Sequence, residues 1–434
     1  MRKISFLLII VIFVFTNIVH AQHKLKAIKA GTLIDVANGA VLKNQIILID
    51  NDTIVTVGAS ISIAADAEII DLSNATVLPG LIDCHTHITG QPGNDYYADI
   101  FRKTPIDAAI TAHIYAKRTL EAGFTTCRDV GAPAFVDVSL RNAINNGDIA
   151  GPRLQVATLF IGSTGSHGDL NGFSPYLDWQ QPAHMSGVAD GVEGVRAQVR
   201  FNIKYGADVI KFGASAGVLS EEESVGAPQY TQEEMNAIVD EAKLWGRKTC
   251  AHAHGTEAIK MAVKAGVASV EHGSILDDEC IQLMKQKGTY FDPSLFVGDY
   301  VVQEFAKKGY PEKILNKARM ITPMVATSFS KAVKAGVKIV FGTDAGVFPH
   351  GLNARQFAYM VKYGQTPMQA IQSATVNAAD LLGWTKKIGS IEKGKFADII
   401  AVDGNPLDNI RLLENVGFVM KGGVVYKDEL KNKK

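Results

Sequence analysis

Apolar and polar positions alternate at the two ends of the chain and fall into longer blocks between them. Residues 25–30, 45–49 and 53–57 alternate with period two and read as short strands, with Asn51-Asp52 as a turn. Residues 397–402 and 417–426 have the same texture, the second as a hairpin with Lys421-Gly422-Gly423 at its tip. Two β-rich ends around a different middle predict that the ends meet in one small β-sandwich domain, residues 22–78 and 386–434.

The middle, 79–385, repeats one grammar. A helical stretch ends in a small residue and Gly, and a short apolar strand follows. Examples are Ala122-Gly123 before Phe124, Ala265-Gly266 before Val267, and Ala335-Gly336 before Val337. Gly fits the left-handed position that stops a helix. Eight such strands end near His85, Arg128, Ile161, Lys211, His252, His272, Asp292 and Asp344. Alternating helix and strand means a parallel sheet, and eight βα units predict an α/β fold: a closed (β/α)8 barrel with its chemistry at the strand C-termini.

Residues 1–21 carry Arg2 and Lys3, an apolar run over 6–15, and Val19-His20-Ala21, which reads as a secretory signal with cleavage after Ala21. The run is short for a membrane span of about 20 residues. The expectation is an exported protein, periplasmic or extracellular. Roughly 410 residues then remain, enough for one large domain and a small one. Lys plus Arg (44) equals Asp plus Glu (44), and no basic run interleaved with aromatics points to nucleic acid. Cys84, Cys127, Cys250 and Cys280 could pair in an exported protein, but their places beside strand ends favour buried free thiols.

His85 and His87 stand one residue apart after an apolar run. In extended backbone they point to the same side, so both can reach one ion. Neutral imidazole is a common metal ligand and suits zinc. Alone, H-x-H is weak, since two solvated loop histidines look the same. Lys211, His252, His254, His272 and Asp344 also stand at strand ends. Each singly reads as a satisfied core group; together, at one topological level, they point to metal binding.

Pro79-Gly80-Leu81-Ile82-Asp83-Cys84-His85-Thr86-His87, Gly342-Thr343-Asp344-Ala345-Gly346 and residues 388–398 resemble the amidohydrolase superfamily. The likeness covers essentially the whole mature chain. It is closest to the imidazolonepropionase-like branch with metal-dependent Xaa-Pro and Xaa-Arg dipeptidases and ochratoxin-type amidases. The resemblance implies a distorted (β/α)8 barrel with a β-sandwich and a site for two divalent metal ions, expected to be zinc. His85, His87 and Asp344 would bind the first and His252 and His272 the second, with Lys211 bridging as N6-carboxylysine. A free ammonium has no lone pair for a metal, whereas a carbamate is an anionic oxygen ligand.

The same resemblance implies that metal-bound hydroxide attacks a small amide, a dipeptide or N-acyl amino acid, since bound cations lower the pKa of water from 15.7 towards roughly 7. Asp344 would be the catalytic base turned acid. His167 and Tyr230 match substrate-facing positions, and His254 and His350 lie in mouth loops beside them. Arg128-Asp129 reads as a structural pair. Opening of a cyclic amide or lactone, or cleavage of an organophosphate, would use the same site. A non-catalytic metal- or ligand-binding envelope protein is a further alternative. Gly213-Ala214-Ser215-Ala216-Gly217 matches a serine-hydrolase elbow, but a long loop rather than a helix follows it. No partner beyond a small substrate and a possible second copy of the chain is implied.

Overall fold

The computed structural model describes residues 25–91, 93, 99, 101–174, 176 and 184–431. The expected signal segment, 1–21, lies outside the described residues. No helix among those described is long and apolar enough to cross a membrane.

Both chain ends do meet in one sheet. Its strands are β1 (Leu25–Asp35), β2 (Ala40–Asp50), β3 (Thr53–Gly58) and β4 (Glu68–Pro79) from the front of the chain. Those from the back are β12 (Ile399–Val402), β13 (Phe418–Lys421) and β14 (Val424–Asp428), in the order β14-β13-β12-β4-β1-β2-β3. The β3 edge turns back onto the segment entering β12: Ile54 N donates to Lys395 O (2.8 Å) and Ala397 N to Asp52 O (2.7 Å). The sheet thus closes on a core that includes Ile28, Ile47, Val77, Ile399 and Phe418. Gly422 and Gly423, at φ 54° and 71°, form the predicted hairpin tip.

The alternation missed β4, because Asp71, Ser73 and Asn74 interrupt its apolar face. A register shift between Ala30 and Thr32 absorbs that interruption. It works only with glycine there, since a Cβ on Gly31 would lie 1.8 Å from Ser73 O.

The barrel strands are β5 (Leu81–Thr86), β6 (Phe124–Asp129), β7 (Arg153–Val156), β8 (Val209–Gly213), β9 (Lys248–Ala253), β10 (Ser269–His272) and β11 (Tyr290–Asp292). All pair in parallel, as β5-β6-β7 and as β8-β9-β10-β11. The helices between them are α1 (Pro105–Glu121), α2 (Val136–Asn146), α3 (Gly191–Lys204), α4 (Gln232–Leu244), α5 (Thr256–Ala265) and α6 (Asp278–Lys287). After β11 come α7 (Leu295–Tyr300) and the long α8 (Glu312–Ala335). Gly266 and Gly336, at φ 102° and 74°, cap α5 and α8 as the sequence predicts.

Two seams join the half-barrels. At one, Ile161 N donates to Lys211 O (3.0 Å) and Gly213 N to Ile161 O (2.9 Å). The third strand therefore reaches Ile161 as expected, but its regular ladder stops at Val156. At the other seam, residues 338–344 fill the eighth position without forming a regular strand. Phe291 N donates to Lys338 O (2.8 Å), Cys84 N to Phe341 O (2.8 Å) and Asp344 N to His85 O (2.8 Å). Side chains replace the missing ladder: Asn377 Nδ2 donates to Ile339 O (3.0 Å) and Gln356 Nε2 to Gly342 O. The barrel core between strands and helices is aromatic and aliphatic, with Phe124, Phe212, Phe291 and Phe341 fully buried.

Candidate metal centre

His85 is the fifth residue of β5 and His87 lies just beyond its end, so the pleat turns both rings one way, their centroids 5.5 Å apart. Each ring has its Nδ1 close to an oxygen. His87 Nδ1 lies 2.9 Å from Gly131 O, and His85 Nδ1 lies 3.0 Å from Glu271 Oε2. The Gly131 carbonyl assigns the His87 proton to Nδ1 and leaves its Nε2 for the cavity, while His85 Nδ1 lies beside the Glu271 carboxylate without hydrogen-bond geometry. Asp344 Oδ1 is 3.4 Å from Nε2 of both. Ligand atoms of these three side chains lie within 4.8 Å of one another, as do those of His252, His254 and His272. The groups adjoin: the His85 and His272 centroids are 5.0 Å apart.

Consecutive strand residues normally face opposite ways, yet Glu271 and His272 both reach this site. His272 manages it at φ 68°, a conformation that side chains rarely adopt. Asp344 stands at φ 63°, at the end of the eighth barrel segment, where its N bonds His85 O on β5. Backbone strain at two of the donor residues marks a functional site rather than a packing convenience.

Lys211 is 1 % exposed at the centre of β8 and lines the same cavity of ≈ 350 Å³ as the five histidines His85, His87, His252, His254 and His272 and the carboxylate Asp344. Its Nζ sits 5.8 Å from the Phe160 ring. His252 Nε2 and His167 Nδ1 are buried without a partner among the described residues. Orphaned nitrogens beside a carboxylate are what a cation-binding donor set leaves when its ion is not counted.

The electrostatics keep the donors available. Burial, with Lys211 and neighbouring imidazoles adding to it, pushes His85 down to about 4, His254 to about 3, and His252 and His272 well below the usual value. A neutral imidazole keeps its lone pair at neutral pH. His87 differs: burial opposes its charge, but Asp344 pushes it up. Burial alone would raise Asp344, and the two imidazoles hold it below the ordinary carboxylate range.

Beneath the donors lies a charged layer that sequence reading missed. Arg128 Nη2 donates to both oxygens of Glu271 (2.9 and 3.0 Å), Nη1 to Ser269 Oγ (3.0 Å) and Nε to Cys84 O (2.5 Å). Asp292 lies 3.7 Å from the same guanidinium. Burial would raise Glu271, but Arg128 holds it well down. Asp292 is pushed well up by burial and by the Glu271 charge. One guanidinium therefore faces Glu271, held towards its charged form, and Asp292, pushed towards its neutral form. Arg128 and Asp129 are not the pair expected. Asp129 instead accepts from Ile88 N and Gly131 N, because adjacent strand residues point apart. Asp83 on β5, pushed up to about 7 by burial, anchors the far wall through Thr343 Oγ1 (2.6 Å), Thr343 N (3.1 Å) and Asn353 Nδ2 (2.7 Å).

Of the expected substrate contacts, His167 and His254 line the cavity. His167 stacks on His252 at 4.1 Å, and His254 Nδ1 is fixed by Ser274 Oγ at 2.6 Å. Tyr230 and His350 do not line it. The Tyr230 hydroxyl donates to Ala189 O (2.8 Å), and His350 Nε2 to Gly90 O (2.7 Å). The Ser215 hydroxyl donates to Ala216 O and accepts from His254 N, and no helix follows Gly217 before α4, so the elbow reading fails. All four cysteines are buried and free. The third group with donor geometry, His85, Glu271 and Asp292, is held together by Arg128.

A βα barrel with imidazoles, a lysine and an aspartate at its strand ends belongs to the class of barrel hydrolases. The chain is a member of the amidohydrolase family, whose model matches residues 76–427, and it is a hydrolase acting on carbon–nitrogen bonds. It is 33% identical over 428 residues to ochratoxinase of Aspergillus niger, covering 94% of this chain and 87% of that one. It is similar to a solved Xaa-Pro dipeptidase with methionine bound in the active site (42% identity, TM-score 0.89, 93% of this chain and 100% of that one). A prolidase complexed with N-methylphosphonate-L-proline matches at 32% identity and TM-score 0.85, covering 93% and 100%.

Proposed function

We propose that this is an exported, binuclear metal-dependent amidohydrolase that cleaves the amide bond of a dipeptide or N-acyl amino acid. The observation that carries the reading is the pair of donor groups, His85/His87/Asp344 and His252/His254/His272, opening on one cavity with Lys211. The likeness to a Xaa-Pro dipeptidase and to a prolidase that takes a proline phosphonate supports a substrate of dipeptide size. Residues 1–21 support export, with a periplasmic or extracellular location.

His85, His87 and Asp344 would hold one ion, and His252 and His272 the other, with His254 beside them. Lys211 would serve both groups as a carbamate: its ammonium gives up one proton, the free amine adds carbon dioxide and a second proton leaves, which would turn a buried cation into an anionic oxygen ligand. Two divalent cations, zinc by the donor chemistry, supply a hydroxide near neutral pH and a Lewis acid for the scissile carbonyl. Asp344, with Oδ1 turned to both first-group imidazoles, accepts the nucleophile's proton and passes it to the leaving amine. His167 and His254 face the bound amide. The Gly131 carbonyl holds His87 in the tautomer that frees Nε2, and the Glu271 carboxylate lies 3.0 Å from His85 Nδ1.

Replacing Lys211 with Met is expected to remove one metal equivalent and to lower kcat by a factor on the order of 10²–10³. Elemental analysis beside kinetics on a dipeptide panel measures both. Intact-mass analysis of the wild type under native conditions should show the carbon dioxide adduct. Full activity in Lys211→Met would remove the bridging role.

A further inference from the structure

Beyond the donors, the cavity is walled almost wholly by carbon. Ala318, Ile321, Thr322 and Val325 of α8 follow one another at helical spacing and form one face of that wall. The Thr322 hydroxyl is engaged by its own helix, on Ala318 O at 2.8 Å. Opposite stand Leu295, Val297 and Gly298 of α7. A Cβ on Gly298 would lie 2.5 Å from Thr322 Oγ1, so glycine is what lets the two helices close together.

Val218 and Leu219, from the loop after β8, complete the compartment. Lys317 fixes that loop by donating to Gly217 O (3.2 Å), Ser220 O (2.6 Å) and Glu222 O (2.7 Å). The only charged side chains lining the cavity, among the described residues, are Lys211 and Asp344, both in the metal centre.

One polar group in this wall has nothing to do. Ser294 is 4 % exposed, lines the cavity, and its Oγ has no hydrogen-bond partner among the described residues. It stands two residues past the end of β11, at the level of the strand-end donors, with φ 43°. Serine before a helix normally caps it. Here Gln356 Oε1 accepts from Leu295 N (2.8 Å) and Phe296 N (3.4 Å) instead, which leaves the serine hydroxyl free. A buried hydroxyl without a partner carries a desolvation cost that a ligand atom would relieve.

We propose that the compartment between α7, α8 and the β8 loop is a specificity pocket for one large aliphatic or aromatic group of the amide substrate, and that Ser294 hydrogen-bonds a polar substrate atom beside that group. This rests on the amide-hydrolase reading above and names the substrate class it leaves open. Ser294 positions substrate and takes no part in the bond-breaking step.

The test uses metal-replete protein and N-acetyl derivatives of Phe, Leu, Ala and Asp, with dissociation constants from calorimetry and kcat/KM from amine release. The Phe and Leu derivatives should bind and turn over at least about 10-fold better than Ala, with Asp poorest. Ser294→Ala should lose about 10-fold in kcat/KM at unchanged metal content, and Ser294→Thr should keep most of it. Val325→Phe should penalise Phe and Leu while sparing Ala. Equal binding of Ala or Asp and Phe derivatives overturns the pocket, and an unaltered Ser294→Ala overturns the contact. Preferential binding of the Phe derivative without any hydrolysis supports the pocket and contradicts the hydrolase reading instead.

Discussion

Asp344→Asn keeps its metal and loses turnover by a factor on the order of 10²–10⁴, the usual contribution of a positioned general acid–base. The amide oxygen of asparagine still faces the Nε2 atoms of His85 and His87, where Asp344 Oδ1 lies at 3.4 Å from each. What the substitution removes is an oxygen able to accept and return a proton. The backbone is not expected to move, because Asp344 N remains bonded to His85 O at 2.8 Å and the turn at φ 63° suits asparagine better than most residues. Elemental analysis with kcat on a dipeptide panel separates the two effects. Metal retained with wild-type turnover would leave proton transfer to another group.

Arg128→Met is expected to destabilise the fold by about 3–5 kcal/mol, the cost of removing one partner from a buried ion pair. The guanidinium lies between Glu271 and Asp292 and also holds the Cys84 carbonyl, all in the barrel interior. Without it, Glu271 is a buried carboxylate left with the Ser269 hydroxyl (2.5 Å) and His85 Nδ1 (3.0 Å) and no cation. Removing both members, as Arg128→Met with Glu271→Leu, should recover much of that stability, since no buried charge is then left unpaired. It should not recover metal affinity. His85 would lose the carboxylate that lies 3.0 Å behind its Nδ1, and loss of such a neighbour weakens binding by roughly 10–100-fold. Urea unfolding and metal titration on the two variants report these quantities independently. A double variant that binds metal like the wild type would mean that Glu271 does not orient His85.

How much of this was legible in the sequence depended on range. Local periodicities were readable: the H-x-H pair on one face of β5, the glycine stops of α5 and α8, and the hairpin over Gly422-Gly423. What failed was set by partners far away or by backbone angles that residue types do not announce. Arg128 finds Glu271 143 residues on. Glu271 and His272 share a site only because His272 takes a positive φ, where period two predicts opposite faces. The eighth barrel position is irregular, and two of its carbonyls are taken by Gln356 and Asn377 from further along the chain. Tyr230 matched a substrate-facing position by resemblance, yet its hydroxyl is held by Ala189. Ser294 carried no signal at all, since a serine ahead of a helix reads as a cap.

Metal content measured against amide hydrolysis in the purified mature protein tests the two-ion site most directly. Two equivalents of divalent metal per chain are expected, with hydrolysis abolished by a chelator and restored by zinc. Hydrolysis that continues undiminished in metal-free protein, or full activity with one equivalent or fewer, would contradict it.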